Sequence, residues 1–121
     1  YPELVARDKQ RCFRVKLNAR HDIPTKFATL AHELGHIYCG HLGDDSKGRW
    51  PNRRTLFLNN KAMELEAEAV SWLVCQRNGI TTRSKEYLNS LVDETSLKAV
   101  SMYAVYEAAN RVESRTEAKK R

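Results

Sequence analysis

Two histidines four residues apart on a helix lie on one face, where both imidazoles can reach a single ion. The run His32-Glu33-Leu34-Gly35-His36 has that spacing. Zinc suits such a pair, because it accepts neutral imidazole nitrogen and imposes no d-electron geometry. Glu33 projects roughly 100° around the helix from His32. It therefore faces a water beside the metal rather than the metal itself, the position of a general base for zinc-activated water. His32 and His36 are the expected ligands, Glu33 the expected catalytic base, and hydrolysis the expected chemistry.

Catalytic zinc usually takes three protein ligands and keeps one position open. One known solution places a third His six residues after the second, with a Gly three after it. Here those positions hold Leu42 and Cys39. His41 comes one residue early and just past a glycine, so it reads as a loop residue or a support beside the metal. Cys39 reads as a small buried thiol, with a ligand role as the lesser alternative. Carboxylates offer another route through Glu64, Glu66 and Glu68. On a helix Glu64 and Glu68 share a face, about 40° apart, while Glu66 points roughly opposite Glu64. Glu64 or Glu68 is thus one choice and Glu66 the other. With Glu64 on the metal, Glu68 one turn later could hydrogen-bond a ligand histidine.

These residues need elements to hold them. Phe27, Leu30, Ala31, Leu34 and Ile37 form an apolar stripe around the two histidines, so their helix is half-buried. Pro24 or Thr25 can start it and Gly40 can stop it. Phe13 to Asn18 alternates apolar and polar, which predicts a strand with Phe13, Val15 and Leu17 inward. Residues 43–54 are loop by composition, and Thr55 to Leu58 reads as a second short strand. Asn59 or Asn60 can cap the next helix. It runs from Lys61 to about Asn78, with Ala62, Leu65, Ala69, Trp72 and Leu73 on its apolar side and Gly79 at its end. A further helix is expected from Ser84 to about Val92. The last starts near Thr95 or Ser96, with Leu97, Val100, Ala104, Ala108 and Val112 as its stripe. The expected fold is α+β, a mostly helical single domain over 1–121 with a small sheet next to the histidine helix.

The composition, 41% hydrophobic and 30% charged over 121 residues, is that of a globular domain with a modest core. No apolar run approaches a membrane span, and no membrane partner is expected. The chain opens on Tyr1 without a charged start or apolar block, so no signal peptide is read, and further protein upstream is an expectation. Three widely spaced cysteines, Cys12, Cys39 and Cys75, argue against a disulfide framework. They point to a reducing, cytoplasmic setting. The net charge is +6. Its basic clusters, Arg7 to Arg20, Lys47 to Arg54 and Lys119-Lys120-Arg121, read as solvated surface, since no aromatic interleaving marks a nucleic-acid interface.

The run Leu30-Ala31-His32-Glu33-Leu34-Gly35-His36, followed by Glu64-Leu65-Glu66-Ala67-Glu68-Ala69-Val70-Ser71, resembles the ImmA/IrrE family of zincin-like metallopeptidases. In that family an HELGH-type helix precedes a helix reading roughly E-x-E-A-N-x-F-A, whose first Glu completes the metal site. The resemblance implies Glu64 as third ligand, Zn2+ as cofactor and a zincin-like fold. The chain also resembles the metallopeptidase region of ArdC-type antirestriction proteins, through Gly79-Ile80 and the Ala-rich Ala104 to Ala109. The likeness spans roughly residues 12–112. Glu68 replaces the usual Asn, and Val70 and Ser71 replace Phe and Ala, which leaves the ligand assignment intact. The implied activity is zinc-dependent cleavage of a peptide bond, with a repressor-like regulatory protein as candidate substrate and the strand from Phe13 as a candidate edge for it. Tyr38, His41, Tyr103 and Tyr106 are candidates for stabilising an oxyanion. The alternative is a zinc-stabilised binding module with a basic surface for nucleic acid or an acidic protein; Glu33 argues against it, since a structural site has no use for a base. A metal-free helical domain with a chance motif is the third reading.

Overall fold

A computed structural model describes residues 3–7, 10–45, 47–54, 59–82, 86, 88–89 and 99–117. Two short strands, β1 (Glu3–Arg7) and β2 (Gln10–Arg14), pair antiparallel with Leu4 opposite Phe13. Three helices follow among the described residues: α1 (Ile23–Tyr38), α2 (Asn60–Arg77) and α3 (Met102–Glu117). Each packs against the other two. The molecule is mostly helical, and its core is helical. The strand expected from Phe13 to Asn18 is corrected: β2 ends at Arg14, and Lys16, Leu17 and Asn18 are exposed. Alternation held for only three apolar residues, and Leu17 has no layer to cover it. Phe13 and Val15 still pack on the helical core, with the Phe13 ring 6.2 Å from that of Trp50. The expected strand from Thr55 to Leu58 lies outside the described residues, as does most of the expected helix from Ser84 to Val92.

Helix α1 starts where local chemistry lets it. Asp22 is its N-cap and accepts the Thr25 N–H at 2.8 Å, while Pro24 sits in the first turn, where a missing N–H costs nothing. It ends in a Schellman turn: the Gly40 N–H donates to Ile37 O at 3.0 Å and the His41 N–H to His36 O at 3.1 Å. Gly40 takes φ +79°, and a Cβ there would lie 2.0 Å from Pro51 O, so only glycine fits. Helix α2 is capped by Asn59, which accepts the Ala62 N–H at 2.7 Å, and closes with a second Schellman turn at Gly79 and Ile80.

The buried face of α2 is wider than the expected one: Ala62 and Leu65 are buried and Ala69 and Leu73 pack on the core as expected. Ala62, Leu65, Glu66, Ala67, Val70, Ser71, Val74 and Cys75 are inside, whereas Trp72 is exposed. Hydropathy missed two polar residues that belong to the core, Glu66 and Ser71. Ser71 Oγ–H donates to Ala28 O of α1 at 2.8 Å, and Glu66 is partnered as described below. The two helices approach closely at Gly35, where an added Cβ would meet Ala67 and Val70 at 3.1 Å. The last helix begins at Met102, where Ser101 caps it, its Oγ accepting the Ala104 N–H at 3.1 Å; the start expected near Thr95 or Ser96 lies outside the described residues.

Candidate metal centre

The closeness of α1 and α2 at Gly35 brings Glu64, one turn before Ala67, over the histidine face of α1. His32 Nε2 lies 3.1 Å from Glu64 Oε2, and His36 Nε2 lies 3.0 Å from Glu64 Oε1. One donor atom from each of these three residues falls within 4.8 Å of the others. His32 Nδ1 lies 2.6 Å from Glu68 Oε2. An ionised carboxylate only accepts, so His32 Nδ1–H donates to Glu68, and a bound cation would displace the proton on Nε2 and leave it bare. Glu68 has the place expected for it, one turn beyond Glu64.

On the other side, His36 Nδ1 lies 2.9 Å from His41 Nδ1, and His41 Nε2 lies 2.7 Å from Glu66 Oε1. The Arg53 guanidinium grips both Glu66 oxygens at 2.7 Å, and the Ser101 N–H donates to Oε2 at 2.7 Å. Arg53 also donates to Cys39 O at 3.0 Å. Glu66 is fully buried and Arg53 nearly so. The expectation that Lys47 to Arg54 is all solvated surface therefore fails at Arg53. Arg53 is drawn inward because residues 47–53 fold over the end of α1: the Arg53 N–H donates to Gly40 O at 2.9 Å, and Trp50 Nε1–H donates to Gly43 O at 3.0 Å.

The electrostatics follow from these contacts. Burial works against protonating His32, but hydrogen bonds to Glu64 and Glu68 outweigh it and raise its pKa to about 9. Burial lowers His36, and the neighbouring His32 adds to this against the pull of Glu64. Hydrogen bonds from His32 and His36 hold the Glu64 carboxyl well below the usual range. Burial would raise Glu66, yet His41, Arg53 and the Ser101 amide together lower it. Two ring nitrogens and a carboxylate converging within 4.8 Å form a donor set that could hold a divalent cation in place of the ring protons. The chemistry of this set fits zinc.

A second group, Cys39, His41 and Glu66, has comparable spacing. Arg53 already occupies both Glu66 oxygens, burial pushes the Cys39 thiol far up, and its Sγ points to Ala104 O at 3.8 Å. That group is a polar clasp. Of the oxyanion candidates, His41 has both ring nitrogens engaged, Tyr38 is buried edge-on to Trp50 at 5.0 Å, and Tyr103 and Tyr106 are exposed on α3. Glu33 sits half-buried on α1 between the two histidines in sequence, with its Oε2 buried. Sequence reasoning left Glu66 as a ligand alternative and missed Arg53. A readable signal for His41 existed: a residue directly after a helix-ending glycine folds back on the residue five before it.

The family model described as the IrrE N-terminal-like domain, peptidase family M78, matches residues 7–115. No curated protein and no solved structure matches the chain significantly.

Proposed function

The chain belongs to the IrrE N-terminal-like peptidase family, and within it we propose that this chain is a zinc-dependent peptidase with His32, His36 and Glu64 as metal ligands and Glu33 as general base. The observation that carries this reading is the convergence of His32 Nε2 and His36 Nε2 on the Glu64 carboxylate at 3.0–3.1 Å. Zinc, when bound, supplies Lewis acidity that polarises a peptide carbonyl and makes water acidic near neutral pH. Glu33 takes the proton from the attacking water and passes it to the leaving amine nitrogen. Glu68 and the residues behind His36 keep the two rings turned with Nε2 inward. Among the described residues no helix is long and apolar enough to cross a membrane. A cytoplasmic setting and a DNA-binding regulatory protein as substrate remain the proposed context, resting on cysteine usage and on the resemblance.

The test is metal content and cleavage of a peptide library read by mass spectrometry. Wild type is expected to hold near-stoichiometric zinc and to cut peptides. His36→Ala and Glu64→Ala are expected to lose both. Glu33→Gln is expected to keep zinc while activity falls by about 10²–10⁴, the range for a lost acid–base group. Zinc retained by Glu64→Ala would move the third ligand elsewhere. Zinc bound without any cleavage by wild type would favour a zinc-stabilised binding module.

A further inference from the structure

Resting on that reading, we propose that His41 is a positioning residue of the metal centre, holding His36 as the tautomer with its proton on Nδ1 and Nε2 bare, and that Glu66 and Arg53 anchor it. The order of protons follows from the outside inward. Arg53 grips both oxygens of Glu66 at 2.7 Å, so Glu66 is an ionised, accept-only group. His41 Nε2, 2.7 Å from Glu66 Oε1, therefore carries a proton and donates it. A neutral His41 then has a lone pair at Nδ1, which faces His36 Nδ1 at 2.9 Å. With a cation held between His36 and Glu64, whose Nε2 and Oε1 lie 3.0 Å apart, Nε2 would carry no proton, so His36 donates from Nδ1 to His41.

Backbone geometry makes the contact local. His36 and His41 are the residues that a Schellman turn brings together, and apolar side chains usually meet there. Here the Gly40 turn places two imidazoles in contact instead, with ring centroids 5.1 Å apart. Both histidines are buried, so no water competes for either Nδ1. Ring orientation is thus set by a chain of hydrogen bonds that ends on residues 47–53 and on the start of α3, through Arg53 and the Ser101 amide.

The experiment uses His41→Phe, which removes the acceptor, and His41→Asn, whose carboxamide oxygen can replace Nδ1. Zinc affinity is read by chelator competition, folding by thermal melting of the metal-free chain, and the Co2+ adduct by its visible spectrum. His41→Phe is expected to bind zinc 10–100-fold more weakly, the usual effect of losing a group behind a ligand histidine, with a shifted cobalt band; His41→Asn is expected to recover most of both. Long-range 1H–15N correlation spectra of zinc-loaded wild type are expected to show His36 protonated at Nδ1 and His41 only at Nε2. A folded His41→Phe with wild-type affinity and cobalt spectrum overturns the proposal and leaves the metallopeptidase reading standing. The reverse proton order in wild type overturns it even where the variants do not fold. Wild type that takes up no zinc overturns the reading and the proposal together.

Discussion

The two histidines of the centre are supported in opposite ways. His32 and its partner Glu68 keep 15% and 13% of their side-chain surface and line an open cleft of about 270 Å³ with Ala28, Thr29 and Ser71. One carboxylate at 2.6 Å suffices there. His36 is 1% exposed, and its carboxylate stands one residue further back, behind His41. A carboxylate near water is partly solvated for nothing. A fully buried one needs a cation and further donors, because several kcal/mol of lost hydration must be offset. Arg53 and the Ser101 amide meet that need for Glu66. The open side is therefore a single contact, and the closed side is a network spanning all three helices and a loop.

The largest effect that would sharpen this contrast is on stability. Glu66→Gln leaves Arg53 buried without its counter-charge, and the metal-free chain is expected to lose about 3–5 kcal/mol in urea unfolding. That is a large share of the roughly 5–15 kcal/mol typical of a domain. Glu68→Gln, on the open side, is expected to change stability by less than about 1 kcal/mol while weakening zinc binding 10–100-fold in chelator competition. Equal destabilisation by the two variants would break the contrast.

The smallest effect concerns the loop that carries Arg53. Asp45 accepts the Lys47 and Arg49 N–H groups at 3.1 Å and pairs with the Arg49 guanidinium. Burial would raise its carboxyl, but these bonds outweigh it and lower the pKa from 3.8 to about 2. The folded value lies below the unfolded one, so the contribution is present above about pH 4 and lost as pH falls toward 2. An NMR titration is expected to place the Asp45 midpoint near 2, with the Lys47 and Arg49 amides following it. A midpoint near 4 would detach the loop from the closed side.

Much of the site was legible because its signals are short-range. The spacing of His32 and His36, the Asn59 cap and the glycines at 40 and 79 each act within a turn or two of chain. The buried face of α2 was legible only in part: Ala62, Leu65, Ala69 and Leu73 face the core as expected, while Trp72 is exposed. Its pattern of Leu, Trp and Ala suggested one phase, whereas Glu66 and Ser71 turn inward because distant groups satisfy them. Burial of a polar side chain depends on its partner, and the partners here lie 13 and 43 residues away. Arg53 was misread for the same reason: a basic run looks solvated until one member finds a buried carboxylate.

Read alone, the chain determines that α1 carries two imidazoles on one face, with a carboxylate beside them and a second histidine-bearing turn behind. Those are consequences of helical pitch and of glycine's freedom at positive φ, both local. It does not determine which of Glu64, Glu66 and Glu68 meets which ring. That choice is the rotational phase of α2 against α1, set where Gly35 lets the helices touch at Ala67 and Val70. Helical pitch holds Glu64 and Glu66 on different sides of α2, and packing alone turns one toward His32 and His36 and the other toward His41 and Arg53.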